Sequence, residues 1–466
     1  MNQQETPLFT ALHHYAAAET TLHVPGHKNG TVLPPFAKPF YEQLLQLDAT
    51  EVSGLDDLHA PEDVILKSQQ LLTEHYGTIH SYFLVNGSTV GNLAMILATV
   101  SRGDEVIVQR NCHKSILHGI ELTGATPIFV APHVDSSWQV ATTLSIEETQ
   151  RVISEHPQAK ALILTYPNYY GIAQQQIETL IDFAHAQNLV VLVDEAHGAH
   201  FTLAQFPSST LDWGADVVIH SAHKTLPAMT MGSYLHINSQ RVSDRRIRYY
   251  LQMLQSSSPS YPIMASLDIA RFYLAHYIEE TPLRAHIQTF RKALNDLRGI
   301  HVLEAPTGTQ LDPLKVTIHA DGLTGFELAD ALEAVGILPE LADFQNVLFV
   351  LPLAIVDYSE ILEKIAQIKW QPSSLNMPSY RIPFETTLAL SYDQMRESQI
   401  TRCPIAQAVG QISAETIIPY PPGIPLIMKG ERIRAETVVQ LQKMIAHDTH
   451  FHGGEYLTKN EILLYK

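Results

Sequence analysis

The feature that most constrains this chain is an alternation sustained from Ser81 to His220. Short β-branched, apolar runs (residues 81–85, 105–109, 126–131, 161–165, 188–193 and 216–219) are separated by helix-patterned or loop stretches. Runs apolar at nearly every position suit strands buried on both faces, and helical crossovers between them make a parallel sheet. The expected fold class is therefore α/β, a mostly parallel sheet sandwiched by helices. Such sheets bind ligands beyond the carboxyl ends of their strands. The residues just past each run are thus the first place to look for chemistry.

Two of those strand ends carry complementary groups. One run ends in His220-Ser221-Ala222-His223-Lys224-Thr225, with Pro227 and Gly232 arguing against a long helix after it. A lysine beside a buried strand tends to lose its proton, and a neutral amine is a nucleophile for an aldehyde. The other run ends in Asp194-Glu195-Ala196-His197-Gly198-Ala199-His200. A lysine for an aldehyde and a carboxylate for a ring nitrogen are the two parts a pyridoxal phosphate site needs. A third strand end, Asn86-Gly87-Ser88-Thr89-Val90-Gly91-Asn92, opens an apolar helix that runs to about Val100. Free N–H groups and hydroxyls at a helix start favour an anion, so Gly87, Ser88 and Thr89 are the expected phosphate cup. A plain N-cap would look similar. No Gly-Lys-Ser/Thr follows, so this is not a Walker loop.

Ser-Ala-His-Lys-Thr-Leu-Pro-Ala at 221–228, Asp-Glu-Ala-His-Gly-Ala-His at 194–200 and Pro-Gly-His-Lys at 25–28 resemble the short form of the ornithine/lysine/arginine decarboxylase family. The likeness runs from about Leu22 to the region of Glu431. It implies the aspartate aminotransferase-type fold, fold type I of the pyridoxal phosphate enzymes, and decarboxylation of a basic amino acid to CO2 and a polyamine precursor. It also implies a homodimer with the active site near the subunit interface; a reducing cytoplasm is expected from the low cysteine count. By resemblance, Lys224 holds the cofactor, Asp194 its ring nitrogen, and His113 of Asn-Cys-His-Lys-Ser stacks on its ring. Ser221 binds phosphate, and His223 aids phosphate binding or proton return. His197 faces the pocket if the turn after Asp194 is tight. Ser257, in Ser-Ser-Ser-Pro-Ser-Tyr at 256–261, is expected near the partner's cofactor phosphate. The acidic stretch 48–59 is expected near the dimer interface, with a solvated turn as the equal alternative. Glu415 is a candidate for the substrate's distal cation, with a structural ion pair as the equal alternative. The chain departs from the short forms at Met231, where glutamine is common. It has no room for the wing domain of the long inducible members, on which larger assembly depends.

The rest of the chain bounds these readings. A helix over residues 8–18, with Thr6 as N-cap and Pro7 in its first turn, starts an N-terminal arm and major cofactor-binding domain, 1–298. A small α+β domain, 299–370, and a C-terminal segment, 380–466, follow. The stretch 371–379 reads as a linker. A net charge of −18 argues against a nucleic-acid surface and allows cationic substrates. Two cysteines, Cys112 and Cys403, make no disulfide framework. No run is long enough to span a membrane. The pairs His23/His27 and His197/His200 are poor metal sites, because Pro25-Gly26 breaks the first and the second lacks a third ligand. Other readings remain. An aminotransferase or aldolase on the same fold would want an arginine for the α-carboxylate, for which Arg381 and Arg402 are positional candidates. A non-catalytic binding protein would not need the intact lysine, aspartate and histidine set.

Overall fold

The computed structural model describes residues 1–17, 20–369, 381–420, 423–446 and 449–466. The expected linker at 371–379, and Pro421 and Pro422, lie outside the described residues. The large sheet is built from β1 (His80–Leu84), β2 (Glu105–Gln109), β3 (Thr126–Val130), β4 (Ala159–Thr165), β5 (Val190–Asp194), β6 (Val217–His220) and β7 (Ser233–Ile237). Their order is β1-β7-β6-β5-β4-β2-β3. The pairs from β6 to β3 are parallel, while β7 is antiparallel to both β6 and β1. β1 therefore runs with the parallel strands, and its end joins theirs at one edge.

The period-2 alternation of each strand divides its side chains between two cores. Ile107, Leu162, Val191, Val193 and Val218 pack on one face of the sheet. Val106, Val108, Ala161, Ile163, Leu192, Val217 and Ile219 pack on the other. Both faces are fully buried, which is why the strands read as unbroken apolar runs.

The N-terminal helix α1 (Pro7–Tyr15) starts at Pro7, as expected, but Thr6 makes no side-chain cap. Its orphan N–H groups are met instead by Asp268, whose Oδ2 accepts from Leu8 N (3.1 Å) and Phe9 N (3.3 Å). Asp268 lies in α5 (Tyr261–Ala275) and is itself paired with the buried Arg271 at 2.9 Å. A carboxylate 260 residues away outcompeted the local threonine because it also neutralises a buried guanidinium. The acidic stretch 48–59 has a local task as well. Asp56 accepts from the backbone N–H groups of Asp57, Glu62, Asp63 and Ile65 at 2.8–3.1 Å, and so ties down the start of the helix Val64–Tyr76.

Beyond Gly299, β8 (Ile300–Val302), β9 (Lys315–Ala320), β10 (Leu341–Ala342) and β11 (Val347–Val350) form an antiparallel sheet ordered β10-β11-β9-β8. The next strand, β12 (Glu385–Thr387), does not join a separate unit: it adds antiparallel to β3, at the edge of the large sheet. The last sheet pairs β13 (Ile400–Pro404) and β14 (Ile412–Ser413) with β15 (Glu461–Tyr465). Among the described residues, no helix is long and apolar enough to cross a membrane.

Candidate active site

Helix α2 (Gly87–Thr99) enters the site across a tight turn. Gly87 has φ +78°, a left-handed conformation that favours glycine. Its N–H donates to Met231 O at 2.9 Å. Gly87 is thereby corrected as an amide donor of the phosphate cup: its donor is already used. The N–H groups of Ser88 and Thr89 keep no intramolecular partner among the described residues, and they stand at the positive end of the helix. The Ser221 hydroxyl, just past β6, donates to Ser88 Oγ at 2.8 Å. The two hydroxyls proposed from distant motifs are thus neighbours. Gly91 lets α2 sit close to the sheet, since a Cβ there would lie 2.7 Å from Leu84 Cδ1 and 2.9 Å from Ile219 Cδ1.

Asp194 closes β5, with Thr165 and Ile219 as its strand neighbours. Its carboxylate is buried and accepts from Asn92 Nδ2 (2.9 Å) and Ala196 N (3.3 Å). Asn92 Nδ2 also donates to Ser115 Oγ at 2.9 Å, and Ser115 Oγ lies 2.8 Å from His113 Nδ1. His113 caps α3 (Lys114–Thr123) by accepting the Ser115 N–H at Nδ1 (3.3 Å). Nδ1 is therefore the ring's lone-pair side, and its proton sits on Nε2. Burial, partly opposed by Asp194, holds His113 below the ordinary histidine range. A continuous line of hydrogen bonds thus fixes both His113 and Asp194.

Lys224 lies in the single turn α4 (Ala222–Thr225) after β6. Burial lowers its affinity for a proton, against the pull of Asp194 and Glu340. The turn after Asp194 is tight, with Gly198 N donating to Glu195 O at 2.8 Å, and it brings His197 Nε2 within 3.1 Å of Lys224 Nζ. His223 points elsewhere: its Nδ1–H donates to Gly232 O at 3.0 Å, leaving Nε2 as an acceptor. Ser257 is exposed in the turn before α5. The neighbouring Ser256 N donates to Asn86 Oδ1 (3.4 Å), so this turn stands beside the start of α2 in the same chain.

Other candidates are engaged away from these groups. Glu415 accepts from Leu463 N (2.8 Å) and Glu455 N (3.3 Å) within the C-terminal sheet. The Arg402 guanidinium lies 4.1 Å from the Tyr456 ring centre, and Arg381 pairs with Gln440 through its backbone. His200 binds Asp312 at 3.1 Å, and His27 binds Asp48 at 3.0 Å.

Three residues escaped sequence reasoning. Asn92 left one trace, an amide side chain in an apolar helix. Lys315 is a lysine inside a buried strand, and its Nζ lies 3.1 Å from His197 Nδ1. Arg110 is 1 % exposed and grips Glu431 through two parallel hydrogen bonds, at 2.5 and 2.8 Å.

The geometry fits a phosphorylated pyridine aldehyde: an amine, a buried carboxylate and a hydroxyl-lined helix start meet at one edge. Buried polar atoms without a partner among the described residues include Asn92 Oδ1, Asn111 Oδ1, Thr165 Oγ1 and Thr225 Oγ1, all from segments at this edge. Comparison with known proteins agrees. Residues 6–307 match the major domain of the Orn/Lys/Arg decarboxylases, and residues 378–456 match their C-terminal domain. The uncharacterized protein YaaO of Bacillus subtilis strain 168 is 45% identical, covering 99% of this chain and 98% of its own. An arginine decarboxylase of the same organism is 33% identical over 100% of this chain and 99% of its own. The structure of the constitutive lysine decarboxylase of E. coli superposes with a TM-score of 0.79 at 20% identity, covering 100% of this chain and 82% of that one. That likeness carries the fold, the type I architecture of a large mostly parallel sheet followed by smaller sheets. By sequence and by fold, the chain belongs to the Orn/Lys/Arg decarboxylase family.

Proposed function

We propose that this protein decarboxylates L-arginine to agmatine and CO2, with pyridoxal phosphate held between Lys224 and Asp194. The observation that carries the reading is the meeting of Lys224, Asp194 and the Ser88–Ser221 pair at one sheet edge, in a chain that matches a full-length arginine decarboxylase at 33% identity. When bound, pyridoxal phosphate supplies an aldehyde for amines and a ring that accepts the electron pair left behind by CO2. Lys224 Nζ would be the amine that holds the aldehyde. Asp194, fixed by Asn92, would hold a proton on the ring nitrogen. Ser88, Thr89 and Ser221 would bind the phosphate through hydroxyl and N–H donors. His113, held by Ser115, would cover the ring and keep water from it. His113 Nε2–H and Lys224 Nζ would be the groups able to return a proton to the carbon that loses CO2, while His223 is turned to Gly232 O.

The same reading includes a homodimer in the cytoplasm, with the smaller sheets as separate small and C-terminal domains. Its support is the apolar surface of the N-terminal arm, where Leu22 is 90%, Phe36 80% and Phe40 81% exposed. A face of that kind suits a second copy of the chain. Sedimentation at micromolar concentration should find the dimer mass.

Incubating the purified, cofactor-supplemented protein with arginine, lysine and ornithine, and assaying CO2, amine and keto acid, tests the function. Arginine should yield equal CO2 and agmatine. Keto acid without CO2 would sink the reading. Lys224→Ala should abolish turnover, and Asp194→Ala should lose most of it while staying folded.

A further inference from the structure

The amine that the proposed reaction needs is one of two lysines on a single imidazole. Lys224 Nζ lies 3.1 Å from His197 Nε2, and Lys315 Nζ lies 3.1 Å from His197 Nδ1. Lys315 comes from β9 of the smaller sheet and is 1% exposed; His197 is 7% exposed. The Tyr169 ring stands over both amines, 6.0 Å from Lys224 Nζ and 5.9 Å from Lys315 Nζ. At Lys315 and His197, both buried, water has little access to compensate a misplaced proton.

Counting protons limits what this trio holds. A neutral imidazole has one N–H and one lone pair. An ammonium only donates, so two ammonium groups would need two lone pairs on the ring. A charged ring between two ammonium groups is worse still. The arrangement closes with one excess proton: one ammonium donates to the ring, and the ring's N–H donates to the other amine, which is neutral.

The surroundings decide which amine keeps that proton. Beside Lys315 stands Asp312, fully buried, whose Oδ1 accepts from Leu314 N (3.0 Å) and faces His200 Nε2 (3.1 Å). Asp312 Oδ2 has no hydrogen-bond partner among the described residues. A buried carboxylate of that kind calls for a cation next to it. Beside Lys224 the carboxylate is Asp194, already served by Asn92 and Ala196 N. Glu340, which accepts from the Tyr169 hydroxyl at 2.6 Å, acts on both lysines and favours neither. His113, His223 and His197 are all pushed towards the neutral form, first by burial. Burial likewise pushes Lys315 down to about 8, with the charge of Lys224 adding to the fall and Asp312 opposing it, and burial lowers Lys224.

We propose that Lys315 is a positioning residue for Lys224: through His197 it keeps the one proton the three groups share, and so leaves Lys224 a free amine. The exchange balances. Lys224 gives a proton to His197 Nε2, His197 gives its Nδ1 proton to Lys315, and the ring changes tautomer without gaining charge. The proposal rests on the reading of Lys224 as the aldehyde-binding amine, but its test uses no cofactor.

The full-length protein, freed of pyridoxal phosphate, is acetylated with trace acetic anhydride from pH 6 to 11. The extent at Lys224 is read by peptide mass spectrometry. In the wild type, Lys224 should titrate below an ordinary lysine. Two amines about 8 Å apart at an effective dielectric of about 20 shift each other by about 1.5 pH units. Lys315→Met should therefore raise the Lys224 midpoint by about 1.5, with roughly thirty-fold less labelling at pH 7. Lys315→Arg keeps a fixed charge at His197 Nδ1 and should restore the wild-type midpoint, a rescue that a purely structural role would not give. A wild-type midpoint at or above that of an ordinary lysine overturns the proposal, whatever the variants do. So does an unchanged midpoint in Lys315→Met, or an equal rise in Lys315→Arg. Failure of the cofactor reading is separate: borohydride treatment of the loaded wild type would then leave no pyridoxyl group on Lys224.

Discussion

Replacing Glu431 by glutamine should loosen the C-terminal segment from the sheet edge that carries the site. Arg110 is the first residue past β2 and lies three residues before His113. Its guanidinium donates to Glu431 through both carboxylate oxygens, to Thr386 Oγ1 at 2.6 Å and to Pro425 O at 2.7 Å. Glu431 Oε2 also accepts from Met428 N at 2.8 Å. This one cation thus fastens β12 and the proline-rich loop to the end of β2. Burial raises the Glu431 carboxyl, but the Arg110 charge and hydrogen bonds outweigh it and hold it below the usual carboxylate range. Removing one partner of a buried pair strands the other, at a cost of about 3–5 kcal/mol. At about 1.4 kcal/mol per tenfold, local opening becomes two to four decades more frequent. Amide hydrogen exchange at residues 385–387 and 424–433 should accelerate by that factor, while exchange in β5 and β6 stays unchanged. Because the folded carboxyl sits below its unfolded value, the pair stabilises above about pH 4.3 and is lost as pH falls through the folded value. The glutamine variant should lack that acid-dependent part. Exchange within threefold of wild type would refute the reasoning. So would a double change, Arg110→Met with Glu431→Leu, that proves worse than the single one.

The remaining predictions concern single contacts. Asp56→Ala removes a carboxylate that binds four backbone N–H groups and should cost about 1–3 kcal/mol, read as faster exchange in the helix Val64–Tyr76. Burial raises the Asp56 carboxyl but those N–H groups lower it on balance, so its contribution is present above about pH 3.9 and fades as pH falls through the folded value. Gly91→Ala drives a methyl into Leu84 and Ile219 and should cost about 1–3 kcal/mol, visible as a lower melting temperature. Asn92→Leu leaves Asp194 without its side-chain donor. At about 1.5–3 kcal/mol for a hydrogen bond to a charge, pyridoxal phosphate affinity should fall roughly ten- to a hundred-fold in a folded protein. Unchanged affinity would remove Asn92 from the site.

Strands and helices were legible because each buried strand writes its period and burial directly into a short stretch. The helices Ile146–Glu155 and Gly325–Ala334 start at Ser145 and Thr324, whose side chains cap them, a local signal of the same kind. The groups past each strand end were legible for the same reason, since a parallel sheet delivers them all to one edge. Thr6 misled because a cap is decided by whichever carboxylate or hydroxyl arrives, and Asp268 arrives from another helix. Gly87 misled because its N–H is taken by Met231, which is brought beside it by the antiparallel pairing of β1 with β7.

By itself, then, the amino-acid sequence determined the layered sheet, the edge at which chemistry gathers, and Lys224 and Asp194 as its candidates, because local periodicity and strand direction are short-range properties. Only the tertiary structure decided that Lys315 shares a histidine with Lys224, that Asn92 and Ser115 tie Asp194 to His113, and that Arg110 locks onto Glu431. Apart from Ser115 with His113, those contacts join residues tens to hundreds of positions apart. Their energy comes from burying charge beside charge, and no local pattern records which buried group will find which partner.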